Sequence, residues 1–79
     1  MELTSIIKNQ EQMYELLVDD KDDLFLEVVC GGVGMYLVRI RLTGSERELY
    51  RQRGAAYVDE LARDIVRNEV RYRERMLPI

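Results

Sequence analysis

Short apolar runs rich in β-forming residues occupy the first half of the chain, and turn-forming residues separate them. The segments MYELLVDD and DDLFLEVVC flank an acidic stretch at 19–23, and GMYLVRIRL alternates apolar and polar residues after a glycine cluster. Runs of this length bounded by Asp and Gly are typical of strands joined by hairpins. The pattern predicts three strands, at about 12–18, 24–30 and 35–42.

The first dozen residues are open to two interpretations. Apolar residues at Ile6, Ile7, Met13 and Leu17 are also compatible with a helix over 4–17. We favour a strand at 12–18, because the acid-rich stretch that follows resembles a hairpin loop. The course of the residues before this strand stays undecided, and a short helix is the alternative.

The second half of the chain has helical spacing, with a capping-box signature at Ser45 and Glu48. Apolar residues recur on one helical face at Tyr50, Tyr57, Val58, Leu61, Ala62 and Ile65. The pattern predicts one helix over about 45–75, roughly 45 Å long, against strands of roughly 25 Å. This helix either overhangs the sheet or is interrupted at Gly54. Close approach to the sheet is the expected reason for that glycine.

Matching of apolar faces predicts the register of both hairpins. A loop at 32–34 sets Glu27 opposite Arg39 and leaves one face of the strands uniformly apolar, and a loop at 19–23 aligns the first two strands in the same way. The expected core face consists of Tyr14, Leu16, Val18, Leu24, Leu26, Val28, Val38, Ile40 and Leu42. The expected fold is α+β (βββα): a three-stranded antiparallel meander packed on one long C-terminal helix, forming a single domain over 1–79.

The opposite face of the predicted sheet is unusually apolar for a surface in water. Six apolar residues share it with charged ones: Met13, Leu17, Phe25, Val29, Met35 and Leu37. The solvated face of an antiparallel sheet is normally polar, and contiguous exposed apolar surface usually marks an interface. Three explanations stay open: residues 1–11 cover this face, a second copy binds it, or a different protein does.

No residue set predicts catalysis, a cofactor or a metal. The glycines at 31, 32 and 34 do not form a dinucleotide fingerprint: the last glycine of G-x-G-x-x-G is absent, and the predicted strand takes the place of the helix that should follow. A tight turn explains these glycines. The chain has no histidine, which is the commonest general base. Cys30 is expected to be a small buried residue rather than a reactive thiol. Four aspartates lack the spacing of an EF-hand loop: Asp19, Asp20, Asp22 and Asp23.

Arginines recur every four residues along the predicted helix. Arg63, Arg67, Arg71 and Arg75 would form one ridge on a continuous helix. Such a ridge suits nucleic-acid phosphates or an acidic protein, unless acidic neighbours neutralise it. The net charge of −3 makes nucleic acid the less favoured partner.

These observations together predict a small non-catalytic protein-interaction module. We expect it to self-associate as a homodimer, or to dock a protein, through the outer sheet face; binding of nucleic acid or an acidic partner through the arginine ridge is the alternative. No apolar run is long enough to span a bilayer, and the first ten residues do not resemble a signal peptide. With a single cysteine, a cytoplasmic location without a membrane partner is expected.

Overall fold

The computed structural model describes residues 2–31 and 33–78. Four strands form one antiparallel sheet in chain order: β1 (Thr4–Asn9), β2 (Tyr14–Val18), β3 (Leu24–Cys30) and β4 (Tyr36–Arg41). Three helical elements follow: α1 (Gly44–Arg53), α2 (Ala55–Arg67) and a C-terminal 3₁₀ helix (Glu69–Arg75). The fold is therefore α+β, with an antiparallel sheet and C-terminal helices. The three-strand, one-helix version of this prediction was wrong in its element count.

The additional strand is β1, formed by residues whose course the sequence left undecided. It pairs with β2, and its register shifts between Ser5 and Ile7, so Ile6 lies in a β-bulge. A bulge displaces the alternation by one residue, which hides the strand from a search for a period of two. Ile7 lies opposite Leu16 and packs against the core. The described part of the N-terminal segment therefore extends the edge of the sheet and does not fold over its outer face.

The predicted registers are present in both hairpins. Glu27 lies opposite Arg39, and the first hairpin has its predicted alignment. The Asp19 amide donates to the Asp23 carbonyl at 3.1 Å and closes the loop between β2 and β3. Of the nine predicted core residues, eight are buried and Val18 is half-buried. The loop at 32–34 can be described only in part, because residue 32 lies outside the described residues.

The predicted long helix is broken twice. Gly54 has φ 66° and ψ −146°, a combination that is open almost only to glycine. No atom lies within 4 Å of the position that a Cβ would take there, so the expected close approach to the sheet is also wrong. After Asn68 the chain continues as the 3₁₀ helix. These breaks return it to the sheet, where Tyr72 is buried and Met76 forms a β-bridge with Ile40.

Helix α1 begins at Gly44, one residue before the predicted start at 45. Its N-cap is Thr43, two residues before the predicted cap Ser45. The Thr43 hydroxyl accepts a hydrogen bond from the Glu46 amide at 3.1 Å, and the Glu46 carboxylate accepts one from the Thr43 amide at 2.8 Å. The capping box predicted at Ser45 and Glu48 was therefore wrong, and Thr43 and Glu46 form it instead with the same spacing. Arg75 also donates to Glu46, at 3.1 Å, which favours the earlier start.

The two edges of the sheet are different. At β4, the Leu77 amide donates to the Arg39 carbonyl at 2.8 Å, next to the bridge between Met76 and Ile40, so the C-terminal segment covers that edge. Strand β1 forms the opposite edge. Within residues 2–31 and 33–78, no helix has the length and apolar character that crossing a bilayer requires.

Candidate interaction surfaces

The outer face of the sheet is organised in rows that cross the strands. The apolar row consists of Met13, Val29 and Leu37. The charged row beside it consists of Lys8, Glu15, Glu27 and Arg39. The third row consists of Ser5, Leu17, Phe25 and Arg41. The six apolar residues predicted on this face therefore do not form one continuous surface, because the charged row separates them.

Exposure divides these six residues into two groups. Leu17 and Phe25 lie opposite each other and are only 7% and 5% exposed. Three of the others are largely exposed, at 44% for Met13, 62% for Met35 and 48% for Leu37. Half-buried Val29 lies between Met13 and Leu37. We call Met13, Val29, Met35 and Leu37 the apolar strip, and it is the most exposed apolar part of this face.

The charged row beside the apolar strip contains two basic and two acidic residues. Arg39 Nε donates to Glu27 Oε2 at 2.9 Å, and both side chains are largely shielded from solvent. Lys8 lies opposite Glu15 on the neighbouring strands. The row therefore has no net charge, and it borders the apolar strip without giving it an acidic or basic character.

The backbone of Met13 is strained. Its φ is 57°, in the left-handed region that glycine and asparagine tolerate and that costs most other residues roughly 1–2 kcal/mol. The turn that holds it is fixed by the Gln12 amide, which donates to Asn9 Oδ1 at 3.0 Å. Because Met13 is also 44% exposed, burial of its side chain offsets little of this cost. The residue pattern alone gives no signal of this strain.

The four arginines predicted as one ridge are divided between two elements. Arg63 and Arg67 lie on α2, whereas Arg71 and Arg75 follow the break and lie on the 3₁₀ helix. Arg75 forms a two-pronged ion pair with Glu46 and so joins the 3₁₀ helix to α1. Burial alone would raise the pKa of Glu46, but the bonds from Arg75 and the Thr43 amide outweigh it and lower that pKa. Arg75 is therefore a structural residue.

Two acidic residues of α2, Asp59 and Glu60, bind partners outside α2. Asp59 accepts a hydrogen bond from the Tyr14 hydroxyl. Burial of Tyr14, together with this bond, raises its pKa to about 12. Glu60 forms an ion pair with Arg53 at 2.7 Å. Neither carboxylate forms an ion pair within 4 Å with Arg63 or Arg67, although the sequence places both within reach.

The third acidic residue of α2, Asp64, accepts a hydrogen bond from the Tyr72 hydroxyl, and this bond lowers the pKa of Asp64. Arg67 lies near enough to contribute to that lowering but forms no ion pair within 4 Å in the described part of the chain. Arg63 donates from Nε to the neutral Gln12 Oε1 at 3.3 Å. Two arginines of α2 therefore form no ion pair within the described part of the chain, although Asp64 lies near Arg67.

Other candidate groups have structural roles. Cys30 is buried, and burial raises the pKa of its thiol, which is the reverse of what a reactive cysteine requires. In the acidic loop, Asp19 accepts from the amides of Lys21 and Asp23, both at 2.9 Å, and Asp23 pairs with Arg41. Among residues 2–31 and 33–78, no three His, Cys, Asp or Glu side chains are grouped to hold a metal ion.

The chain was compared with protein-family models, curated proteins and solved structures, and none of the three comparisons found a significant match. The assignment of function therefore depends on the exposed surface, the charges and the backbone geometry of the described residues.

Proposed function

We propose that this protein is a small non-catalytic interaction module that self-associates through the apolar strip. The observation that supports the proposal most strongly is the exposure of Leu37 on β4, and of Met13 and Met35 just before β2 and β4, on a sheet whose Leu17 and Phe25 are buried. An exposed apolar group bordered by polar residues is characteristic of a protein interface. Methionine is also enriched at such interfaces.

A second copy of the chain is the partner that best fits this surface. A two-fold interface brings the same patch of both subunits together, so the patch must complement itself. An apolar strip meets this condition, and the charged row beside it has no net charge that would repel its own copy. A strongly acidic or basic partner would gain no attraction from such a row.

The size of the sheet face limits the strength of the association. Strands about 4.8 Å apart, each rising about 3.4 Å per residue, give a four-stranded face of seven residues an area of about 450 Å². Stable interfaces bury about 800 Å² on each partner. The proposed dimer is therefore weak and forms in a concentration-dependent way.

Replacing Leu37 with Glu tests the proposal. A carboxylate at this position would have to be desolvated in the dimer, so we expect L37E to remain monomeric at concentrations where the wild-type chain associates. Leu37 is 48% exposed, so the free energy of unfolding should change by less than about 1 kcal/mol. Sedimentation velocity measures the association, and urea unfolding confirms the fold.

The matched control is Leu49 on α1, which is 38% exposed and lies outside the apolar strip. The L49E variant should associate as the wild type does. A folded L37E protein with wild-type association would contradict the proposal. Equal loss of association in both variants would show that added negative charge, rather than the apolar strip, controls it.

A further inference from the structure

We infer that α2 carries a second docking site, formed by Arg63, Val66 and Arg67, which binds an acidic segment of a different protein. The inference is independent of self-association, since it concerns residues outside the apolar strip. It begins with the arginine partners: seven of the ten arginines form an ion pair with a carboxylate. Within residues 2–31 and 33–78, the three that form none are Arg63, Arg67 and Arg73, and the first two lie together on α2.

The two arginines are four residues apart on one helix, where like charges repel each other. The acidic residues of α2 form no ion pair with either arginine, because each is held by a tyrosine or by another arginine. The fold thus keeps two guanidinium groups one turn apart, beside Glu60 and Asp64 but in an ion pair with neither. An anionic partner would supply the direct carboxylate contacts that both arginines lack.

The surface between the two arginines is apolar. Val66 is 48% exposed, and a shallow cleft of about 150 Å³ is lined by Gln12, Ala62, Arg63, Val66 and Arg67. Pockets for small molecules usually measure about 300–1,000 Å³. This cleft therefore accommodates one side chain of a docking segment rather than a whole small ligand.

An acidic protein segment matches these features better than nucleic acid does. The planar guanidinium group binds carboxylates through two parallel hydrogen bonds. A helix with carboxylates one turn apart and an apolar residue between them would contact Arg63, Val66 and Arg67 together. A nucleic-acid duplex would contact only two arginines at this site, with Glu60 and Asp64 in the adjoining cleft. The net charge of −3 on the chain also disfavours duplex binding.

The test is a titration of the ¹⁵N-labelled full chain with an acetylated peptide that carries two glutamates four residues apart around a leucine. We expect saturable amide shift changes at residues 62–68 and at Gln12. A peptide with glutamines in place of the glutamates should not bind. Raising the salt concentration should weaken binding, because the contacts are exposed ion pairs.

The R63Q/R67Q variant should weaken peptide binding by about tenfold or more. The control variant R47Q/R51Q removes the same charge from α1 and should bind as the wild type does. L37E should also bind normally, so failure of the self-association proposal would leave this result unchanged. Lack of saturable shifts, equal binding by R63Q/R67Q, or tighter binding of duplex DNA through these residues would overturn the inference.

Discussion

Met13 combines a left-handed backbone with an apolar side chain that is exposed beside Val29 and Leu37. Asparagine or glycine at this turn would remove the strain. Because the Met13 side chain is 44% exposed, its loss would remove no fully buried packing. Under the proposed self-association, stability and association therefore place opposite demands on this one residue. The same contrast separates the arginines, because Arg75 is held by Glu46 whereas Arg67 has no ion-pair partner in the described part of the chain.

Replacing Met13 with Asn separates these demands. Asparagine tolerates positive φ, so the free energy of unfolding should stay equal or rise by up to about 1 kcal/mol. Association should weaken, because the apolar strip loses an exposed member. Urea unfolding and sedimentation velocity measure the two effects.

Asp22 provides the control, because its φ is 66° and it lies in the loop at the other end of β2. The D22N variant should leave both stability and association unchanged. A marked loss of stability in M13N would mean that the methionine is retained for packing, and unchanged association would remove it from the interface.

Among the secondary-structure elements, the boundary between α1 and α2 depends on one dihedral angle. Gly54 has no neighbour within 4 Å of a Cβ position, so its backbone conformation alone requires glycine. Substitution by alanine should cost about 1–3 kcal/mol of unfolding free energy through strain, with no steric contribution. Urea unfolding measures this loss.

Gly44 is the matched control for this prediction. It also has no neighbour within 4 Å of a Cβ position, but it lies in the first turn of α1 without a positive φ. The G44A variant should be neutral or slightly stabilising, because alanine has the higher helix propensity. An unchanged stability of G54A would indicate that α1 and α2 can join into one helix, and would contradict the account of the break.

The elements differ in how far the sequence could predict them. Strands β2, β3 and β4 and their registers were predicted because only one alignment makes a face uniformly apolar, with Glu27 opposite Arg39. Strand β1 was missed because the bulge at Ile6 shifts its alternation. The interruption at Gly54 was one of two open alternatives, because helical spacing continues across this glycine. The break after Asn68 was missed, and only the return of Tyr72 to the core reveals it.

For the whole molecule, the two proposed surfaces meet at the turn between β1 and β2. Met13 in this turn belongs to the apolar strip, whereas the neighbouring Gln12 contacts Arg63 of α2. The sequence pointed to the outer face and to the arginines as candidate surfaces, and both stay predictions. It could not distinguish exposed Leu37 from buried Phe25. It also could not distinguish Arg63, which forms no ion pair in the described part of the chain, from Arg75, which is paired with Glu46. Both distinctions depend on tertiary neighbours.

The central claim is self-association through the apolar strip, and a dilution series of the ¹⁵N-labelled wild-type chain tests it most directly. We predict that amide shifts of Met13, Val29, Met35 and Leu37 move with concentration, while those of α1 stay constant. The apparent mass should rise over the same range from 9.4 kDa toward twice that value. Shifts that are independent of concentration, or that change at β1 or α2 instead of the apolar strip, would contradict the claim.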